Sequence, residues 1–455
     1  MRAAPWMLLV ALPLGAADWM RLRTPEVELL TDAGESRGRE LLARLSQVRG
    51  VFSEGRARGP LNLRIFVFAS AREFRDYAPG ASTGGFYQSG PERDYIVLPA
   101  EPSRVLVHEY IHLLLNRGSN PLPTWFEEGT AEFYSTLEVR GNRLVVGAPV
   151  PSHRDLLARQ PWLGANELFS ATARSSLYDE RARAGVFYAQ GWALVHMLNL
   201  SPDYRLGMPR LVELLASGRA SEDALYEVYE RTPAQVLRNL EAYLRRMDAV
   251  TVEGAPTRVE APVQAERLPA LDAILARAEL GLRTNHAAVA RRWYEEAARQ
   301  KPDSSAVEFG LGMLALDAGD RASARKHLER AVALNAVDAG TWFEYAMFER
   351  ESGAPRGRVE ELLRKAVELN PNLAEAQFVL GVRATDDGRL EAGVAHLQEA
   401  VRVLPRQSSF WHALAFALEK LGRRQEALDA ALRAVRAAST PEEDGMAQAL
   451  LESLR

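Results

Sequence analysis

Residues 108–134 read HEYIHLLLNRGSNPLPTWFEEGTAEFY, and how this stretch divides into helices decides what the first half of the chain is. His108 and His112 are one helical turn apart, so on an α-helix they stand one above the other on a single face. Both imidazoles can then reach one ion. Glu109 stands beside them where, in an H-E-x-x-H arrangement, a carboxylate addresses the attacking water rather than the metal. Gly118, Pro121 and Pro123 break this first helix. A second helix is expected from Thr124, read as its N-cap, with Glu127 completing a Thr-x-x-Glu capping box. Glu128 and Glu132 then share a face one turn apart. That spacing lets Glu128 bind the ion while Glu132 accepts the distal N–H of a ligand histidine, and it tolerates the reverse. Gly129 removes a side chain where two helices must come close.

Working outward, VELLTDAG and LNLRIFVFAS read as strands, SRGRELLARLSQVRGVF as a helix and SAREFRDYA as a capped helix. GGFYQSGPERDYIVLPA reads as a hairpin or pair of extended segments leading into the histidine helix, with an edge strand to which an extended peptide could add by backbone pairing. Beyond the glutamates, LEVRGNRLVVG is a hairpin about Gly141 and Asn142. Residues 152–247 turn helical, with VFYAQGWALVHMLNL the most apolar helix. Pro256, Pro262 and Pro269 and the lack of a helical stripe mark a linker over residues 249–269.

After that linker the chain repeats. Ala297, Ala331, Ala366, Ala400 and Ala434 fall in register at spacings of 34, 35, 34 and 34 residues, and Pro302, Ala336, Pro371 and Pro405 keep the same period. Small alanines let helices cross closely, turn glycines (Gly319, Gly388, Gly422) allow left-handed geometry, and the prolines end each second helix. In the third unit Gly353 and Gly357 bracket an extra residue. The pattern resembles the tetratricopeptide repeat, in which paired helices stack, and it covers about residues 270–441.

HEYIH followed by TWFEEGTAEFY resembles the gluzincin metallopeptidases, and especially the bacterial peptidase-MA-like proteins. The resemblance covers roughly residues 18–248, and its specific part is residues 105–134. It implies an α+β zincin-like metallopeptidase domain with a helical subdomain over residues 18–248, ahead of the all-α tetratricopeptide-repeat solenoid of residues 270–455. It also implies that the glutamate before glycine, Glu128, joins His108 and His112 on a Zn2+ ion, with Glu109 as general base. Tyr188 stands close to the place of the catalytic tyrosine in related gluzincins and is the candidate oxyanion donor, with His196 as a second candidate. The Gly-x-Met-Glu-Asn element of the large aminopeptidases of that clan is absent from this sequence.

Composition bounds the rest. The 455 residues suit two or three domains, and 56 Lys plus Arg against 60 Asp plus Glu leave a net charge of −4, which makes no electrostatic case for nucleic acid or an anionic membrane. Without cysteine, a transition-metal site must use histidine and carboxylate. Arg2, the apolar run from about Trp6 to Leu14, and Gly15 and Ala17 before Asp18 follow the order of a secretory signal over residues 1–17, so an exported, periplasmic or extracellular protein is expected. The expectation is an exported zinc metallopeptidase, an endopeptidase, acting on proteins or peptides, with the repeats recruiting a protein partner. The alternative is a repeat scaffold in an envelope or secreted assembly, its peptidase-like domain non-catalytic. A zinc hydrolase acting on a non-peptide amide is a third reading.

Overall fold

A computed structural model of the chain describes residues 18–53, 61–80, 83–90, 92–101, 104–117, 122–172, 175, 177, 181–253, 262–438 and 440–454. The expected leader (1–17), Gly118, Pro121 and Pro256 lie outside these residues. The first part begins with strands β1 (Met20–Arg23) and β2 (Val27–Thr31), helix α1 (Glu35–Ser53), β3 (Leu63–Phe68), α2 (Ala71–Arg75), β4 (Phe86–Gln88) and β5 (Asp94–Pro99). Helices α3 (Arg104–Asn116) and α4 (Thr124–Ser135) follow, then β6 (Glu138–Arg140) and β7 (Arg143–Val146), which pair across the Gly141–Asn142 turn, where Gly141 has φ +63°. Ser70 caps α2 by accepting from the Glu73 N–H.

A helical layer comes next: α5 (Pro151–Arg159), α6 (Ala165–Phe169), α7 (Arg181–Leu200), α8 (Met208–Ala216), α9 (Ser221–Tyr229) and α10 (Pro233–Leu244). α7 is apolar on most sides and runs through the core of this layer, with Phe187, Trp192 and Leu194 fully buried against Trp125 and Phe133 of α4. None of the helices among the described residues is long and apolar enough to cross a membrane.

The expected linker is corrected by the next two elements, β8 (Val250–Glu253) and β9 (Gln264–Arg267). β8 is the third strand of the β6–β7 sheet, and β9 pairs antiparallel with β1 at the end of a six-stranded sheet of order β4-β5-β3-β2-β1-β9. Prolines near each strand mask them in the sequence, because a four-residue edge strand needs little apolar periodicity once its partner is in place. Within the large sheet β2, β3 and β5 run parallel, and β4 lies antiparallel on the edge beside β5.

Successive side chains of a strand point to opposite faces, so the two faces bury different sets. Leu29, Ile65, Val67, Ile96 and Leu98 pack on α1 and α3. Leu30, Phe66, Phe68 and Val97 pack on α2 and on Ala273, Ala276 and Leu280 of α11 (Ala270–Arg283), the first helix of the repeats. Arg277 of α11 is buried there, 3.8 Å above the Trp293 ring and 3.3 Å from Glu73. Glu279 accepts from Arg64 at 2.7 Å and from the Tyr95 hydroxyl at 2.6 Å. The first repeat is thus a layer of the sheet domain as well as the start of the solenoid.

The remaining repeats are α12 (Ala287–Gln300), α13 (Ser305–Asp317), α14 (Arg321–Ala333), α15 (Ala339–Glu351), α16 (Arg356–Leu369), α17 (Ala374–Asp386), α18 (Leu390–Val403), α19 (Ser408–Lys420) and α20 (Arg424–Ala437). With α11 they form five helix pairs of tetratricopeptide type. The five register alanines are all fully buried, one in each second helix. Gly319, Gly353, Gly388 and Gly422 take φ of +75° to +79° in the turns, and Asn285, at φ +59°, does the same duty in the first pair. Gly357 lies inside α16 rather than in a turn. Helix α21 (Pro441–Leu454) covers the last pair through Leu451 and Leu454.

Ending the chain at residue 248, the expected domain boundary, strips β8, β9 and α11 from the sheet and uncovers Leu30, Phe66 and Phe68. Each loses about 1.5–3 kcal/mol of burial from a domain stability of about 5–15 kcal/mol. Such a chain is expected to lack a cooperative thermal transition by circular dichroism; a transition matching that of the full chain would contradict this arrangement.

Candidate metal centre

Helix α3 carries His108, Glu109 and His112, and its opposite face, Leu106, Tyr110 and Leu113, is buried. The two ring Nε2 atoms are 3.0 Å apart, and Glu128 Oε2 of α4 lies 3.6 Å from His108 Nε2 and 3.3 Å from His112 Nε2. Ligand atoms of these three residues fall within 4.8 Å of one another, the one such group among the described residues. Glu128 Oε2 is buried and makes no hydrogen bond. Two ring nitrogens turned on each other stand beside a buried carboxylate oxygen that has no hydrogen-bond partner. They are the donor set, two imidazoles and a carboxylate, that a zinc ion takes, so the residues fit the metal that the motif implies.

The other side of His108 is held as a ligand histidine's is. Its Nδ1 is 3.4 Å from Glu132 Oε1, and the second oxygen of Glu132 accepts from Arg104 at 2.6 Å and lies 3.1 Å from His153 Nε2. Glu132 therefore faces Nδ1 and Glu128 faces Nε2. Arg104 and His153 were not foreseen: nothing in the spacing of His153 ties it to Glu132.

Electrostatics separates the carboxylates. Burial raises the pKa of each, but His108 and His112 hold Glu128 down at about 2, and His153, His108 and Arg104 hold Glu132 at about 2. For Glu109 burial wins over His108 and His112, and its pKa is raised. Burial works against protonation of His108, yet Glu128, Glu109 and Glu132 hold its pKa up at about 9.

His108, Glu109, His112 and Glu128 open on a cavity of about 340 Å³. Gly85 with Phe86 and Tyr87 of the edge strand β4 form one wall, and Tyr188 of α7, Glu127 and Arg406 lie on others. His108, His112, Glu128, Glu109 and Tyr188 are thus brought together. His196 is not among the lining residues: it is buried between the Tyr243 hydroxyl, 2.8 Å from Nδ1, and the Gly147 carbonyl, 2.9 Å from Nε2.

The capping box is corrected. Pro123, extended at φ −57° and ψ 141°, takes the cap position without a side-chain bond, and Thr124 is already helical. Glu127 consequently reaches back to the Leu122 N–H at 3.2 Å and also accepts from Arg406 at 3.3 Å. A proline cap supplies φ but has no N–H of its own for the glutamate to accept from, so Glu127 takes the N–H of the residue before it.

Residues 311–437 match a family model described as the Cilia and flagella-associated protein 70 middle TPR-like domain. Among solved structures, YrrB, a TPR protein with an unusual peptide-binding site, is 18% identical over 39% of this chain and 90% of its own, with a TM-score of 0.32. A MamA structure is 18% identical over 37% and 91%, TM-score 0.30, and PilF of Pseudomonas aeruginosa 15% identical over 40% and 88%, TM-score 0.35. No curated protein matches. The repeat assignment rests on the five helix pairs and the matched family model.

Gly129 sets the distance between α4 and α7. A Cβ there would stand 2.4 Å from the Gly191 carbonyl oxygen and 2.7 Å from Val195 Cγ2. Gly129→Ala is expected to lower stability by about 1–2 kcal/mol, overpacking of about 1–3 kcal/mol outweighing the better helix propensity. Urea unfolding measures this, and an unchanged midpoint would show that the helices can part at no cost.

Proposed function

We propose that the chain is an exported zinc-dependent metallopeptidase of the gluzincin type, cleaving peptide bonds within protein or peptide substrates, with its repeats engaging protein. The observation that carries this reading is the cluster of His108, His112 and Glu128 beside Glu109 in one cavity, its Glu128 Oε2 buried without a hydrogen bond. His108, His112 and Glu128 would hold the zinc. When bound, zinc supplies Lewis acidity towards a carbonyl and a water with pKa near 7. Glu109, its carboxyl raised by burial, is suited to accept the proton of the attacking water and pass it to the departing amine. Tyr188 lines the cavity and would donate to the developing oxyanion. The open edge of β4 would take an extended substrate by backbone pairing, as strand addition requires. Export rests on the leader pattern of residues 1–17.

The family match covers the repeats alone and favours a second reading, a repeat scaffold that binds protein partners and carries a non-catalytic peptidase-like domain. The two separate at Glu109. Glu109→Gln should keep one zinc per chain and lose about 10²–10⁴-fold in cleavage of an unfolded protein, the worth of a general base. Equal cleavage by both proteins, or no zinc in either, would leave the scaffold.

Metal binding also has a pH signature. Below about pH 9 His108 carries a proton that a metal must displace, whereas Glu128 and Glu132, at about 2, stay ionised. Apparent zinc affinity is therefore expected to fall about tenfold per pH unit as pH drops from 9 towards 6. A competitive chelator titration reads this, and a flat profile would contradict the site.

A further inference from the structure

We propose that Arg406 determines substrate specificity by taking a carboxylate close to the scissile bond, an inference that rests on the peptidase reading. Arg406 belongs to the turn between α18 and α19, in the solenoid, yet it lines the same cavity as His108, His112 and Glu128. Histidines aside, it is the one cationic side chain among the described lining residues.

Its guanidinium is engaged but not saturated. Nη1 donates to the Leu115 carbonyl at 3.3 Å and to Asn116 Oδ1 at 3.2 Å, and Nη2 donates to Glu127 Oε1 at 3.3 Å. All three contacts are long and none is bidentate, whereas Arg64 holds Glu28 and Glu279 at 2.7 Å each. Of five N–H donors, the Nε–H and the second Nη2–H have no partner among the described residues. The Nε and Nη2 atoms share one edge of a guanidinium, with the spacing that receives both oxygens of a carboxylate. Glu127 offers a single oxygen, which it shares with the Leu122 N–H, so it offsets the charge without filling that edge.

The position suits a substrate group. Asn116 lies one turn beyond His112 on α3, about 6 Å along the axis. One residue of extended chain covers about 3.3 Å, so Arg406 meets a carboxylate about two residues from the ligand cluster. An aspartate or glutamate side chain supplies such a group, and so does a chain's own C-terminus.

The test uses the full-length, zinc-loaded protein and a peptide that it cuts, made in four forms: Glu or Gln two residues from the cut, and a free acid or an amide at the end. One carboxylate is expected to raise kcat/KM about tenfold or more over the form with neither, and the Glu/Gln and acid/amide pairs tell which source is read. In Arg406→Gln that ratio should fall to about one, with bound zinc and circular dichroism as in the wild type. A wild-type ratio near one, or a preference that survives in Arg406→Gln, overturns the assignment and leaves the peptidase reading standing. If Arg406→Gln does not fold, the wild-type ratios and those of Arg406→Lys, expected to be reduced, decide. Failure of the zinc-loaded wild type to cut any peptide or an unfolded protein overturns both.

Discussion

A sheet whose strands alternate apolar residues on both faces must be covered on both. Here one cover is α1 with α3, and the other is α2 with α11, so the sheet binds the histidine helix on one side and the first repeat on the other. That constraint fixes the solenoid to the first domain through Arg277, Glu279 and their partners rather than through a tether. Because stacked repeats have little freedom between neighbours, fixing the first pair also sets where the fourth and fifth lie. The turn carrying Arg406 arrives at the cavity for this reason, almost three hundred residues after α3. Repeats placed so are part of the cleft, which a freely linked recruiting module is not.

Within the cleft, one charge pattern divides similar groups into different roles. Glu128 and Glu132 sit against imidazoles and Arg104 and are held ionised, while for Glu109 burial outweighs the attraction of His108 and His112 and raises its pKa. Two carboxylates kept as anions and a third made more basic are what ligand, ligand support and proton acceptor each need. The geometry that separates them is the crossing of α4 and α7 at Gly129 and Gly191, which seats Glu128 opposite the histidines while α7 brings Tyr188 to the same cavity.

Much of this is legible in the sequence because it is local. Four-residue steps place His108 over His112 and Glu128 below Glu132 in any straight helix, and the repeat period exposes the solenoid through Ala297 and its four counterparts. What escapes is set by distant partners. β8 and β9 are strands because β7 and β1 await them, about a hundred and over two hundred residues upstream, and their own four residues carry almost no pattern. Glu127 follows capping-box spacing, but Pro123 takes the cap and redirects it. His153 and Arg406 look like surface residues until Glu132 and the cavity are brought to them.

The central claim is that His108, His112 and Glu128 hold one zinc with Glu132 behind His108. Anomalous diffraction at the zinc edge from crystals of the full chain tests it most directly. The account predicts a single strong site bonded by His108 Nε2, His112 Nε2 and a Glu128 carboxylate oxygen, with Glu132 on His108 Nδ1. Zinc bound by Glu127 or Glu132 in place of Glu128, or no ordered site in this cavity at saturating zinc, would contradict it.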